Sequence, residues 1–322
     1  MKRRSLIQAG AALLASPLLA AHAETWPTKQ VRFVVPFPPG GTTDYVTRLV
    51  GVEVAKTWGQ PVVVENRPGA GTVIGVENVA RSAPDGYSFV TVANSFAANQ
   101  TLMKKLPYDT LKDLRPVALM GMSEHVLATY PGSGIKSIAD LRAQAKANPG
   151  KLSFASFGNG TSAHLAGEML KLKMGIDIVH VPYKGQGPAL ADLLGGQVTM
   201  MFGNWPEFRS QIEAGKLVAI GMATAKRSEY APNIPTLAEQ GVPVESNSWN
   251  GLLAPAGTPD AVVQKVNADV NRALASPTVV DAFHKGGIAS LSGTPQQFAD
   301  FIRSEIAKYA EVIHKANITL EG

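Results

Sequence analysis

From Val31 onward the chain alternates short apolar runs with longer amphipathic stretches. Val31 to Val35 (VRFVV) is the first apolar run. A Pro/Gly turn, PFPPGG, follows it, and Thr42, Thr43 and Asp44 open an amphipathic segment. The pattern predicts a buried strand that delivers the chain to a helix N-terminus. Pro61 to Glu65 is a second strand candidate. Asn66 to Gly75 (NRPGAGTVIG) turns into a helix running to about Ala83, and Asp85-Gly86-Tyr87 turns into a third strand, Ser88 to Val92. This βαβαβ alternation argues for an α/β domain with a mainly parallel sheet.

Pro116 to Met120 and Val126 to Tyr130 read as two extended runs separated by a polar break, which is where the chain is expected to cross between domains. A second α/β series follows. Helices are expected at Ser137 to Ala147, His164 to Met174 and Ala189 to Leu194, and strands at Leu152 to Ser156, Ile178 to Val181, Val198 to Phe202 and Val218 to Met222. Trp249 to Ala254 reads as a return strand. Three amphipathic helices close the chain, at Asp260 to Ala275, Pro277 to Lys285 and Pro295 to Asn317. The expected architecture is therefore two α/β lobes joined by two crossing strands. Residues 24–124 and 249–322 form one lobe and residues 125–248 the other. A ligand cleft is expected between them.

The start of the chain does not belong to this pattern. Lys2, Arg3 and Arg4 precede the apolar run Ala11 to Ala21, which ends in Ala21-His22-Ala23. This reads as an export signal, residues 1–23, cleaved after Ala23. Arg3-Arg4 followed by Ser5-Leu6-Ile7 is compatible with twin-arginine export as well as with the general route. Its three positive residues are part of the formal charge of +5, which leaves the mature chain near +2. With no basic block, nucleic acid is not an expected partner. There are 0 cysteines among 322 residues, which fits an exported periplasmic protein and excludes thiol catalysis and Cys-based metal sites.

Candidate chemistry gathers at two turns. Pro38 and Pro39 stiffen the approach to the first helix, Gly40 and Gly41 let backbone come close to a ligand, and Thr42, Thr43 and Asp44 begin the helix. Ser156 to His164 (SFGNGTSAH) repeats that logic, with Gly158, Asn159 and Gly160 in the turn and Thr161 and Ser162 at the helix start. Either turn alone is explained by turn and capping chemistry. Two helix N-termini facing one cleft would make a site for a carboxylate. Gly69-x-Gly71-x-x-x-Gly75 lacks the spacing of a dinucleotide fingerprint. Ser162 does not sit in a nucleophile elbow. His164 and Glu168, four apart, share a helix face without a third ligand nearby. No catalytic residue, metal site or cofactor is expected. Tyr183 and Lys184 lie in a glycine-containing loop that could line the cleft, and Trp205 and Trp249 read as core or cleft wall.

Taken in order, PFPPGGTTD, ENRPGAGTVIG, APDGY, LPYDTLKDL, FGNGTSAHLAGEML, HVPYKGQGPALADLLGGQV and WNGLLAPAGTP resemble one family, the periplasmic solute receptors of tripartite tricarboxylate transporters, called Bug or TctC-like receptors. The resemblance covers essentially the whole mature chain. It implies a type II periplasmic-binding fold and a monomeric receptor. It also implies a small carboxylate held by main-chain N–H groups, hydroxyls and water, and delivery to a membrane permease of a large and a small subunit. By matching motif, Pro38 to Asp44 and Gly158 to Ser162 would be the ligand loops, with Asn94 and Ser95 bordering the cleft. The chain departs from the family's pattern at Gly203, beside Asn204, where MFDN often carries an Asp, and at Asn250, where an aromatic often follows the Trp. Both departures are expected near the cleft. The competing readings are a sensor subunit for a membrane histidine kinase and a secreted enzyme acting on a small organic acid.

Overall fold

The structure is a computed structural model and describes residues 26–319; the export signal at residues 1–23 lies outside the described residues. The first apolar run forms β1 (Val31–Val35), and the Pro/Gly turn leads to α1 (Thr42–Trp58). Val46, Val50 and Val54 repeat at helical spacing on the buried face of α1, and Gly59, at φ 62°, ends it. β2 (Val62–Asn66), α2 (Val73–Ala80) and β3 (Ser88–Val92) follow. β1 pairs in parallel with both β2 and β3, the crossover arrangement that the βαβαβ pattern predicts.

The two expected extended runs are a single strand, β4 (Leu114–Thr129). The polar break does not end it, because its polar side chains are buried where the lobes meet: Ser123 and His125 are both fully buried. Residues 114–124 of β4 pair antiparallel with β9 (Asn247–Pro255), which itself pairs antiparallel with β3. The short β10 (Ile288–Ser290) covers the other edge of that stretch. From His125 onward β4 lies between β7 (Met200–Asn204) and β8 (Val218–Met222). β5 (Ser153–Ser156) runs parallel to β7 and to β6 (Val179–Pro182), completing the second sheet. The molecule is thus two α/β lobes joined by crossing strands.

Each sheet is covered on both faces. In the first lobe, Phe33, Val50 and Phe89 pack with α8 (Asp260–Leu274) and α9 (Pro277–Gly286) on one side. Val90, Phe96 and Trp249 pack with α10 (Pro295–Lys315) on the other. Trp249 is fully buried and donates its indole N–H to Glu305 Oε2 at 2.8 Å, fastening β9 to α10. In the second lobe, Phe154 and Phe202 pack under α4 (Ile138–Ala147) and α5 (Ser162–Met174). Trp205 and Phe208 pack with Leu193 on the opposite face. Both tryptophans are therefore core.

Three helices mark where sequence pattern and structure differ. α3 (Asn94–Leu102) begins directly at the end of β3. α6 (Gln186–Leu194) begins three residues before the predicted start. α7 (Trp205–Glu213) begins directly at the end of β7.

Candidate functional site

A candidate cavity of about 350 Å³ lies between the lobes. Five helices begin on its wall. They are α1 at Thr42, α3 at Asn94, α5 at Ser162, α6 at Gln186 and α7, whose N-cap is Asn204. A helix start presents N–H groups without intrahelical partners together with the positive end of the dipole. Among the described residues, no lysine or arginine lines the cavity, and Asp44 is its one acidic lining residue. Phe37, Pro38, Pro39, Ala93, Phe157 and Pro188 give it apolar walls.

Of the residues expected to bind ligand, Pro38, Pro39, Gly40, Gly41, Thr42, Thr43, Asp44, Asn94, Ser95, Thr161, Ser162 and Asn204 line this cavity. Gly158, Asn159, Gly160, Tyr183 and Gly203 do not, and each has a local reason. Gly158 accepts the Thr161 hydroxyl at 2.7 Å, so that hydroxyl serves the turn. Asn159 turns its carbonyl toward Gly71 across the cleft. Gly160 gives its N–H to His164 Nδ1 at 3.1 Å. The Tyr183 hydroxyl donates to Asp192 at 2.6 Å, and burial together with that carboxylate pushes its pKa up to about 12. Gly203 lies under the Phe208 ring, which a Cβ at this position would strike. Gly203 is thus a packing position in the core rather than a place where the cleft has lost an acid. Lys184 is exposed and outside the wall. Asn250 is also behind the wall, fully buried, with Nδ2 donating to Thr43 Oγ1 at 2.8 Å.

The glycine-containing loop after Tyr183 does reach the cavity, through Gly185 and Gly187, while sequence reasoning missed Phe37, Ala93, Phe157, Gln186, Pro188 and Ser248, which also line it. Gly185-Gln186-Gly187-Pro188 carries the same glycine-then-helix signal as the other two turns, and Pro188 in the first turn was the available cue. Ser248 lies within β9 and carries no local signal.

A directed chain of hydrogen bonds runs from behind the wall to its lining residues Asn204 and Thr42. The Ser246 hydroxyl pairs with His125 Nδ1 at 3.0 Å, and His125 Nε2 with Asn204 Oδ1 at 2.9 Å. Asn204 Nδ2 donates to Thr42 Oγ1 at 2.9 Å, and Thr42 Oγ1 donates to Glu207 Oε1 at 2.6 Å. Asn204 uses its amide nitrogen on Thr42, so its oxygen faces His125, and Nε2 is the protonated ring nitrogen. Burial lowers the His125 pKa to about 3, so the ring is neutral. Ser162 Oγ lies 3.3 Å from the same Nε2. That nitrogen is a donor already committed to Asn204, so it offers the serine no free base.

Two carboxylates sit at the start of α1. Asp44 is pushed up by burial. Bonds from Arg48, the Gly40 N–H and Asn66 outweigh that and hold it below the usual range. Glu207, from α7 in the other lobe, accepts the Thr42 N–H at 2.8 Å, and burial pushes its pKa upward. His164 is not paired with Glu168. Its ring stacks on His180 at 4.0 Å, while Glu168 pairs with Lys171 at 3.1 Å.

Comparison with known proteins matches this geometry. The family described as the tripartite tricarboxylate transporter family receptor matches residues 46–318. BugT of Bordetella pertussis is 40% identical over 302 residues, covering 93% of each chain. The R. palustris protein Rpa4515, solved with adipate, superposes with a TM-score of 0.88 at 34% identity, covering 91% of this chain and 99% of that one. MatC of Rhodopseudomonas palustris, solved with bound malate, gives 0.84 at 33% identity, covering 89% and 99%. The chain belongs to the tripartite tricarboxylate transporter receptor family.

Proposed function

We propose that this protein is a periplasmic receptor that captures a small carboxylate between its lobes and hands it to a tripartite tricarboxylate-type permease. The observation that carries this reading is the ring of five helix starts around a cavity of about 350 Å³ with no basic residue on its wall among the described residues. Such a cavity stabilises an anion through oriented N–H groups and hydroxyls, and releases it more readily than a buried ion pair would. Adipate and malate, bound by relatives, are small carboxylates of suitable size. In this reading residues 24–124 and 249–322 form one lobe and residues 125–248 the other. The receptor acts as a monomer, and Thr43, Asp44, Ser95, Ser162 and Gln186 are the first contacts of the solute. Capture requires no bond-making, in keeping with the committed state of the His125 imidazole.

The test is a thermal-shift screen of mono-, di- and tricarboxylates against the purified mature chain, followed by calorimetry. A solute that binds only the native state raises the melting temperature, by an amount that grows with its concentration. At least one small carboxylate should do so, while uncharged analogues should not. A panel in which neutral amides bind as well as their acids would refute the anion reading.

A further inference from the structure

Asn250 stands where a packing residue would be expected. It lies in β9, a strand paired on both sides, with β3 and with β4, and its side chain is fully buried. Its Nδ2 donates to Thr43 Oγ1 at 2.8 Å, while its Oδ1 has no partner among the described residues. Turning the amide over would leave both of its N–H hydrogens buried without a partner, the costlier arrangement. A fully buried amide with an idle oxygen lowers stability, so packing does not explain it. Thr43, which it touches, lies in the first turn of α1 and lines the cavity. Asn250 is the one hydrogen-bond partner of the Thr43 hydroxyl among the described residues. A threonine deeper in a helix gives its proton to the carbonyl four residues back, as Thr47 does to Thr43 O at 2.6 Å. In the first turn there is no helical carbonyl four residues back.

We infer that Asn250 is a positioning residue, which fixes the Thr43 hydroxyl as a hydrogen-bond donor to the solute. This rests on the receptor reading above and deepens it. The Asn250 N–H occupies one lone pair of Thr43 Oγ1, so the hydroxyl proton is turned away from β9 and toward the cavity. Donation then runs one way, from Asn250 Nδ2 to Thr43 Oγ1 and from the Thr43 hydroxyl to a carboxylate oxygen. Hydrogen bonds in such a chain polarise one another, which strengthens the outer bond. A bond from a hydroxyl to an ionised acceptor is in any case the stronger sort. β9 is suited to the task. It is held by neighbours on both edges, and Gly251 lets the Phe298 ring pack directly on the strand beside Asn250. A donor carried on so rigid an element keeps its aim. Thr43 touches the solute, and Asn250 acts through it.

Two measurements on the mature protein test this. The first needs no solute. The side-chain amide signals of Asn250, assigned by NMR in asparagine-labelled protein, should move in Thr43→Val and move less in Thr43→Ser, which keeps a hydroxyl. Signals that stay in place in Thr43→Val would mean that the bond does not form, and the inference falls. The second is calorimetry with malate, adipate and hexanoate. For an acid that binds, Asn250→Leu and Thr43→Val should each weaken binding by about three- to tenfold. The double variant should bind no more weakly than Thr43→Val alone, because the two residues act as one unit. A purely structural role for Asn250 predicts losses that multiply in the double variant, and that result overturns the inference while the receptor reading stands. So does tighter binding in Asn250→Leu, which would show that the amide holds the hydroxyl proton back. Melting curves check that each variant is folded, and the NMR measurement decides the matter should Asn250→Leu not fold. If none of the acids binds the wild type, the inference and the receptor reading fall together.

Discussion

The imidazole of His164 holds the Gly160 N–H at 3.1 Å and so ties the glycine turn of the second lobe to the helix that follows it. This bond requires a neutral ring, because Nδ1 must accept. Burial lowers the His164 pKa to about 4, and the stacked His180 is lowered to about 3, by burial and by its neighbour. With His125 also at about 3, three histidines stay neutral in the fold that would charge near pH 6.5 when unfolded. Between about pH 6.5 and pH 4 the unfolded chain therefore binds more protons than the native one, and stability falls as pH falls through that window. Each independent histidine contributes up to about 1.4 kcal/mol per pH unit there; the stacked pair titrates jointly and contributes less than two separate rings. Denaturant titrations at pH 7, 6 and 5 should show a steady decline, and His164→Gln should flatten it. A stability constant from pH 7 to pH 5 would show that the rings charge freely in the fold.

Gly203 and Phe208 make a second prediction. A Cβ at Gly203 meets the Phe208 ring, so Gly203→Asp, the residue often present in the family's pattern, should cost about 1–3 kcal/mol of stability or more. Phe208→Ala in the same chain opens the space, so the double variant should lose less than the sum of the two single losses. Strict additivity in urea unfolding would mean that the two positions do not share that volume.

The two hydroxyls at the start of α5 should separate. Thr161 spends its hydroxyl on Gly158, whereas Ser162 stands on the cavity wall beside His125. Ser162→Ala should weaken carboxylate binding by about 0.5–1.5 kcal/mol with little change in melting temperature. Thr161→Ala should lower the melting temperature first. Lys184→Ala should leave affinity unchanged, since that lysine is exposed and outside the wall. Calorimetry ranks the three, and an affinity that collapses only in Lys184→Ala would point to an ion pair as the main hold on the solute.

Gly41 has nothing within 4 Å of the position its Cβ would take, and it lines the cavity. Gly41→Val should therefore fold normally and still obstruct the solute, weakening binding by about 1.4 kcal/mol or more, about tenfold. A normal affinity in this variant would place the solute away from the α1 turn.

Export is checked by intact mass. Protein recovered from the periplasm should begin at Glu24, and a mass that retains Met1 to Ala23 would dismiss the signal reading.

The strands and the two ligand turns were legible where apolar runs are punctuated by Pro and Gly, as at Val31 to Asp44. α3 was hidden because Asn94 to Asn99 are buried on all sides, leaving no amphipathic period to detect. α7 was hidden because it starts with no turn after β7, although Pro206 in its first turn is a start signal. β4 was split because Gly121 to His125 reads as polar, whereas Ser123 and His125 are buried by the meeting of the lobes. The cavity's loops were legible for the same reason as the turns. The bond from Thr42 to Glu207 was not, because a contact between positions 42 and 207 has no trace in local spacing.

The length of β4 has a mechanical consequence. One continuous strand belongs to both sheets, and β9 runs beside it with register shifts between Pro116 and Ala118 and between Leu119 and Gly121. A rotation of one lobe against the other that keeps these bonds is absorbed as twist distributed along a ribbon. Such a ribbon behaves as a torsion spring: opening it stores elastic energy, and the stored energy favours return. The rate at which a solute is trapped would then depend on ribbon stiffness as well as on the chemistry of the cavity, and the two irregular registers are where that stiffness is lowest.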